Sequence, residues 1–380
     1  MSRYIGFLTL FLTIYGALHL YLLVKARRAL YLQGLSYFLC VILLMFLLTA
    51  PIQSRMLEGR QYEVLSLIMA WIGYIWMGAL FIFVCLSIPL DFYHLVMGVI
   101  RRAADIDLTA LTLARRQSFN LTAAATLAIL IYGIFEAHYI RTATVTLKSE
   151  KIPASAGRIR IVQISDVHIG PMMIPSRLAA IVAAVKRAEP DLLVSTGDLI
   201  DGRVYDPGQV VHLLSGISAR LGKFAVTGNH EFYAGIDKAV HLTEQAGFTL
   251  LRGSGMAAGS HLSILGLDDP AGGRPEFNGQ PERLGAQADG RFTILLKHRP
   301  MVANPDAPDF DLQLSGHTHD GQIFPFGLVV RMHYPLTCGI HTFGKQSRLY
   351  VSRGSGTWGP PVRFLAPPEV TVIDLLPTGK

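Results

Sequence analysis

Residues 158–168 read RIRIVQISDVH: isoleucine and valine spaced through a short run that then delivers an aspartate and a histidine. The apolar positions predict a strand over 158–166, bounded by polar residues at its exit. Working outward, PSRLAAIVAAVKRAEP (175–190) predicts a helix, because Leu178, Ile181, Val182 and Val185 recur at helical spacing on one face. DLLVSTGD (191–198) and KFAVTGNH (223–230) predict two more strands. HLSILGLDD (261–269), RFTILLKH (291–298), FDLQLSGHTH (310–319), SRLYVSRGSG (347–356) and EVTVIDLL (369–376) complete the sheets. Strands alternating with helical patterns and glycine-rich turns define an α/β layered domain.

Five of these strands end in side chains that bind metals. They supply Asp166 and His168, then Asp198, then Asn229 followed by His230, then His298, and finally His317 and His319. A strand end opening into a loop lets a rigid sheet present side chains to one point. Glycine stands before Asp198, Asn229 and His317, permitting a sharp turn and close backbone approach. Carboxylate and amide oxygens together with imidazole nitrogens suit borderline divalent ions such as Mn, Fe and Zn. Such a set is too large for one tetrahedral ion. It suits two ions about 3.5–4 Å apart that share a carboxylate, an arrangement that clamps a phosphoryl group.

The N-terminal part of the chain is chemically different. With 51% hydrophobic and 16% charged residues, the 380-residue chain is too apolar for one ordinary soluble domain. The excess lies in four runs, roughly 4–24, 31–50, 64–90 and 120–138, each near the roughly 20 residues that cross a bilayer. The first lacks a small-residue cleavage site and is expected to be retained. No run carries a charged residue near its middle, which argues against a transporter or pump. His19 and His138 fall near run ends and are expected at the membrane interface. Lys25, Arg27 and Arg28 follow the first run, and Arg101, Arg102, Arg115 and Arg116 follow the third. Loop cations of this kind mark the cytoplasmic side, which places both chain ends and the whole C-terminal part on the extracytoplasmic face.

Charge divides the same way. Residues 1–149 hold 12 Lys+Arg and 6 Asp+Glu; residues 150–380 hold 22 and 21. A near-neutral C-terminal part gives no basic stripe, so no nucleic acid is expected as a partner. Three cysteines, two of them in apolar runs, build neither a disulfide framework nor a cysteine zinc site. No G-x-S-x-G elbow, phosphate loop or dinucleotide fingerprint is present.

Taken in order, Asp166-x-His168, Gly197-Asp198-x-x-Asp201, Gly228-Asn229-His230-Glu231, His298 and Gly316-His317-x-His319 resemble the signature of the calcineurin-like metallophosphoesterase family. DGQIFP (320–325) and GSGTWGPPVRF (354–364) look like its membrane-associated bacterial branch. The resemblance covers about residues 158–376. It implies a two-sheet β-sandwich flanked by helices and a metal-dependent phosphoric ester hydrolase, phosphatase or phosphodiesterase. Asp166, His168 and His319 would hold one metal, Asn229, His298 and His317 the other, and Asp198 would bridge. His230 would stabilise the transition state or protonate the leaving oxygen while a metal-activated hydroxide attacks phosphorus.

The expected organisation is a four-helix transmembrane anchor at 1–140, a linker at 141–157 and the catalytic domain at 158–376. The partners are membrane lipid and a phosphate ester or pyrophosphate, lipid-linked substrates included. The rival reading, a catalytically weak receptor or scaffold, predicts loss of the bridging aspartate or of the histidine after Asn229; both are present. Asp201 and Glu231 are expected to orient ligands or cap loops. Asp268 and Asp269 are expected either to add to the pocket rim or to lie in a solvated turn before Pro270, and Arg299 and Asp320, which depart from the family pattern, are expected near the metals.

Overall fold

The computed structural model describes residues 2–58, 62–273, 290–306, 308–344 and 347–378. The chain forms two compact units, residues 1–134 with 359–362 and residues 135–358 with 363–380.

The first unit is helical: α1 (Ser2–Leu30), α2 (Gly34–Glu58), α3 (Glu63–Ala104) and α4 (Arg115–His138). Each contains a stretch long and apolar enough to cross a membrane. Tyr15, Leu80, Phe83 and Val84 form its buried core. α3 runs 42 residues, well beyond its apolar stretch, and ends where Asp105 takes a left-handed conformation at φ 51°. Asp91 is accommodated in that extension by Lys25 Nζ at 2.6 Å and by the Tyr21 hydroxyl, which donates to its other oxygen. His19 differs from expectation. It is buried, with Nδ1 2.7 Å from the Tyr15 carbonyl and Nε2 accepting from Trp76 Nε1 at 2.9 Å. Both ring nitrogens find partners inside the helical unit, which removes any need for interfacial water.

The second unit begins with β1 (Arg141–Ser149) and β2 (Ile159–Ile164), followed by α5 (Pro175–Ala188) and β3 (Leu192–Ser195). Next come α6 (Pro207–Ser215), β4 (Lys223–Ala225), α7 (Asn229–Ala234), α8 (Ile236–Gln245) and β5 (Thr249–Leu250). β6 (Ser254–Ala258), β7 (Leu262–Gly266), β8 (Phe292–Leu296) and β9 (Leu312–Ser315) follow. The unit closes with α9 (Phe326–His333), β10 (Gly339–Phe343), β11 (Ser347–Val351) and β12 (Glu369–Pro377).

These strands make two six-stranded sheets, ordered β1-β12-β2-β3-β4-β5 and β10-β11-β9-β8-β7-β6. Within the first, β2 through β5 run parallel; within the second, β7, β8, β9 and β11 do. Period-two alternation decides which face each side chain serves. Ile159 and Ile161 of β2 join Leu262, Ile264, Ile294, Leu312 and Leu314 in the core between the sheets. Val162 and Ile164 point the other way, against α5, α6 and α8, and meet Leu178, Ile181, Val182 and Val185. α5 therefore buries the face that its sequence predicts. It stops at Glu189, which adopts φ 50° beside the proline.

Residues 141–149, expected as part of a linker, are instead β1, paired in parallel with β12 from Arg141↔Glu369 to Ser149↔Pro377. The run RTATVTLKS alternates with period two, as an edge strand should. The strand expected over 223–230 ends at Ala225, and Asn229 already opens a helix.

Candidate metal centre

All the candidate ligands leave the C-terminal ends of parallel strands: β2, β3 and β4 of one sheet, β8 and β9 of the other. The pairing of β2 with β3 continues past their ends through the loops. Asp166 N–H donates to the Gly197 carbonyl, His168 N–H to that of Asp198, and Asp201 N–H to that of Ile169. Buried Glu231 fastens this layer by accepting from the N–H groups of Asp198, Ile200 and Gly228 at 3.0, 3.0 and 2.7 Å. Buried Gln163 ties the two sheets beneath it, donating to Thr196 Oγ1 at 2.8 Å and to the Ser315 carbonyl at 2.9 Å.

Two of the glycines have measurable reasons. Gly197 sits at φ 93°, and a Cβ there would lie 2.6 Å from Gly228 N and 2.8 Å from His298 Nδ1. A Cβ on Gly316 would strike Ser165 Oγ and Asp166 Oδ2. The candidate ligands themselves are strained as well. Asp166, His168, Asp198, His317 and His319 all have φ between 49° and 72°, a left-handed region that bulky residues avoid and that functional sites hold at a cost of order 1–3 kcal/mol each.

The side chains gather in two groups, linked by a third made of His168, Asp198 and His230. Asp166, His168 and His319 bring ligand atoms together at one place, and Asp198, His298 and His317 at another. His168 Nε2 and His319 Nε2 are 3.0 Å apart, and His298 Nε2 and His317 Nδ1 are 3.1 Å apart. Asp198 stands between the groups, with Oδ2 3.1 Å from His298 Nε2 and 3.9 Å from His168 Nε2, while Oδ1 accepts the His230 N–H at 2.8 Å. Asn229 is buried beside Asp198's loop, and its Oδ1 has no hydrogen-bond partner. An orphaned buried amide oxygen is costly unless a cation or water satisfies it.

The electrostatics point the same way. Burial would raise the pKa of Asp166 and of Asp198, yet neighbouring imidazoles outweigh it and hold both carboxylates below their ordinary value. Burial lowers His317 to about 4 and His319 to about 3, leaving neutral rings with lone pairs available. His298 behaves oppositely. Burial alone would lower it, but Asp198 and Asp166 draw a proton onto it and push it up to about 10. Its Nδ1 already faces the Thr196 carbonyl at 2.8 Å, so the proton demanded by the carboxylates falls on Nε2, inside the cluster. A buried site that pulls a proton between its ligands is one built for positive charge. The donor set, the orphaned amide and this demand together fit divalent cations.

His230 stands at the edge of the cluster, partly exposed, with Nδ1 2.9 Å from Asp201 Oδ1 and its ring edge-on to His168 and Tyr233. Burial would lower its pKa, but Asp198 and the Asp201 hydrogen bond raise it to about 9. Asp201 Oδ2 also lies 3.3 Å from His168 Nδ1, so this carboxylate orients the His230 ring and stands beside that of His168.

Other residues depart from expectation. Asp269 is buried, not solvated, and clamps Arg299 through Nε and Nη2 at 2.8 and 3.0 Å. Asp268 accepts from Thr227 Oγ1 and from Arg252. Arg299 does approach the cluster closely enough for its charge to act on His317, whereas Asp320 faces Arg331 and Cys338. Sequence reasoning missed Arg363 altogether. It is fully buried and donates to the carbonyls of His319, Gly354, Gly356 and Ala366, with Nη2 3.0 Å from His319 Nδ1. In the protein alone, that contact favours the His319 tautomer protonated on Nε2, a proton that ligation would displace.

Two sheets whose parallel strands converge on a buried histidine, aspartate and asparagine cluster define a metallophosphoesterase domain. Residues 159–321 match the family model described as calcineurin-like phosphoesterase. The chain is 35% identical over 252 residues to a metallophosphoesterase of Aquifex aeolicus, covering 65% of this chain and 96% of that protein. It is 39% identical over 258 residues to the Bacillus subtilis metallophosphoesterase YkuE, covering 64% and 88%. It is also 30% identical over 316 residues to a Danio rerio transmembrane protein with metallophosphoesterase domain, covering 77% and 72%. The chain belongs to the calcineurin-like phosphoesterase family.

Proposed function

We propose that this protein is a membrane-anchored phosphoesterase whose centre holds two divalent cations, drawn from Mn, Fe and Zn. Asp166, His168 and His319 would hold one, Asn229, His298 and His317 the other, and Asp198 would serve both. The observation that carries this reading is the pair of ligand groups, each brought together around its own carboxylate, with the unpartnered Asn229 oxygen beside them. When bound, the cations supply Lewis acidity that polarises a phosphoryl group and lowers the pKa of water. The chain's own residues do the rest. Asp201 fixes the His230 ring through Nδ1, which leaves the other ring nitrogen to carry a proton to the leaving oxygen. Arg299, held flat by Asp269, places a guanidinium beside the cluster where an anionic substrate must enter.

His230→Ala is expected to keep bound metal yet lower kcat by roughly a hundredfold or more on a substrate with a poor leaving group. Full rate on that substrate would remove His230 from the chemistry.

The substrate class is a phosphoester or pyrophosphate, with a lipid-linked one favoured. Four apolar helices support this, since confinement to the surface where a substrate lies raises its effective concentration without new contacts. Loop charges support placing the chain as a multi-pass protein of the cell membrane with the catalytic unit outside the cytoplasm; a C-terminal reporter active only in the cytoplasm would contradict this. The full-length protein, stripped by a chelator and reloaded with Mn or Zn, should lose and then regain hydrolysis. It should prefer a lipid pyrophosphate in mixed micelles to its water-soluble headgroup analogue. Equal efficiency on both would confine the helices to a locating role, and activity that survives stripping would reject the metal mechanism.

A further inference from the structure

The helical unit contains a cavity of about 580 Å³ where the ends of α1 and α3 meet the start of α4. Lys25, Arg28, Arg101 and Arg115 line it against a single carboxylate, Asp91. That carboxylate is spent locally, paired with Lys25 at 2.6 Å and accepting from the Tyr21 hydroxyl. No ion pair engages Arg28, Arg101 or Arg115 among the described residues, and Asp107, the acidic group whose charge reaches Arg101, is fully exposed. His94 contributes a buried Nε2 without a hydrogen-bond partner to the same lining. The N-terminus of α4, which opens at Arg115, adds the positive end of its dipole.

This cavity therefore carries an excess of three positive charges with unfilled donors, far from the residues of the metal centre in the sequence. Leu95, Leu113 and Phe119 give it an apolar wall, beside Thr109, Thr112 and Ser118. A soluble anion has no use for that wall. A phospholipid uses both parts, its phosphate oxygens on the guanidinium forks and its glycerol and acyl carbons on leucine and phenylalanine. The cavity also lies at helix ends, which on the membrane reading proposed above is the level of the headgroups. We propose that it binds the phosphate headgroup of an anionic phospholipid.

The test titrates full-length protein in neutral detergent with phosphatidylglycerol or phosphatidylcholine and counts bound lipid by native mass spectrometry. One variant carries Arg28→Gln, Arg101→Gln and Arg115→Gln. A control carries Arg27→Gln, Arg102→Gln and Arg116→Gln, equal in charge but outside the lining. Wild type and control should prefer phosphatidylglycerol by on the order of a hundredfold, and the cavity variant should retain about a twofold preference. Melting curves and metal-dependent hydrolysis, which none of these arginines serves, should be alike in all three and show that the variants fold. Preference retained by the cavity variant, or lost equally in the control, would overturn the site. So would displacement of the lipid by millimolar inorganic phosphate, which would make this a free-anion pocket. A chain that stays monodisperse without detergent would instead refute the membrane reading on which the inference rests.

Discussion

Asp198→Asn should leave the protein folded and reduce kcat/KM by on the order of a thousandfold or more, whatever the substrate. The carboxylate is the meeting point of the centre: one oxygen holds the His230 N–H, and the other lies between His298 and His168. Asparagine keeps an oxygen for the His230 N–H, so the loop geometry survives. Its NH₂ group would then face His298 Nε2, replacing a charged acceptor with a neutral donor at the side chain proposed to serve both cations. Steady-state kinetics with a phosphomonoester, beside a thermal melt, checks this. A folded variant within tenfold of wild type would show that Asp198 does not serve the centre as described.

Arg363→Met should destabilise the catalytic unit by about 2–5 kcal/mol. Methionine fills much of the volume, so the cost comes from hydrogen bonds. The His319 and Gly354 carbonyls keep other donors, from Gln322 N–H and Glu369 N–H. The Gly356 and Ala366 carbonyls lose theirs among the described residues, and a buried unsatisfied group costs roughly 1–3 kcal/mol. Burial and the charge of nearby Arg177 pull Arg363 down to about 9, still protonated at neutral pH, so its full set of donors is present under ordinary conditions. The same guanidinium meets His319 Nδ1, so the folded variant, relieved of a nearby positive charge and of the contact that keeps a proton on Nε2, should bind metal more tightly. Chemical denaturation measures the first effect and metal titration the second. An unchanged midpoint and unchanged affinity would mean that the 354–366 loop holds its shape without the arginine.

What was readable in the sequence followed from residues whose chemistry announces itself. Aspartate, asparagine and histidine at the exits of five apolar strands pointed to the cluster that the fold brings together, because few other uses place those side chains at those points. α5 was readable because its apolar spacing is helical and unbroken. What was hidden depended on distant partners. β1 alternates clearly in RTATVTLKS, but it follows an apolar run, and its pairing partner β12 lies at the far end of the domain. The left-handed backbone of five candidate ligands is invisible in residue identity, since aspartate and histidine do not ordinarily signal positive φ. Arg363 breaks the expectation that arginine lies outside. Only the folded 354–366 loop shows the ring of carbonyls that makes its burial tolerable. Asp268 and Asp269 precede a proline and read as a turn, which they are, but the arginines that bury them come from elsewhere in the chain.

The presence of two cations is tested most directly by elemental analysis of purified full-length protein, with each ion's contribution removed in turn. Wild type loaded with Mn or Zn should contain two ions per chain. Asn229→Ala, which deletes the side-chain amide that carries the orphaned oxygen, should contain about one, and a chelated sample should contain none and show no hydrolysis. Full hydrolysis by protein that contains no metal would contradict the central claim.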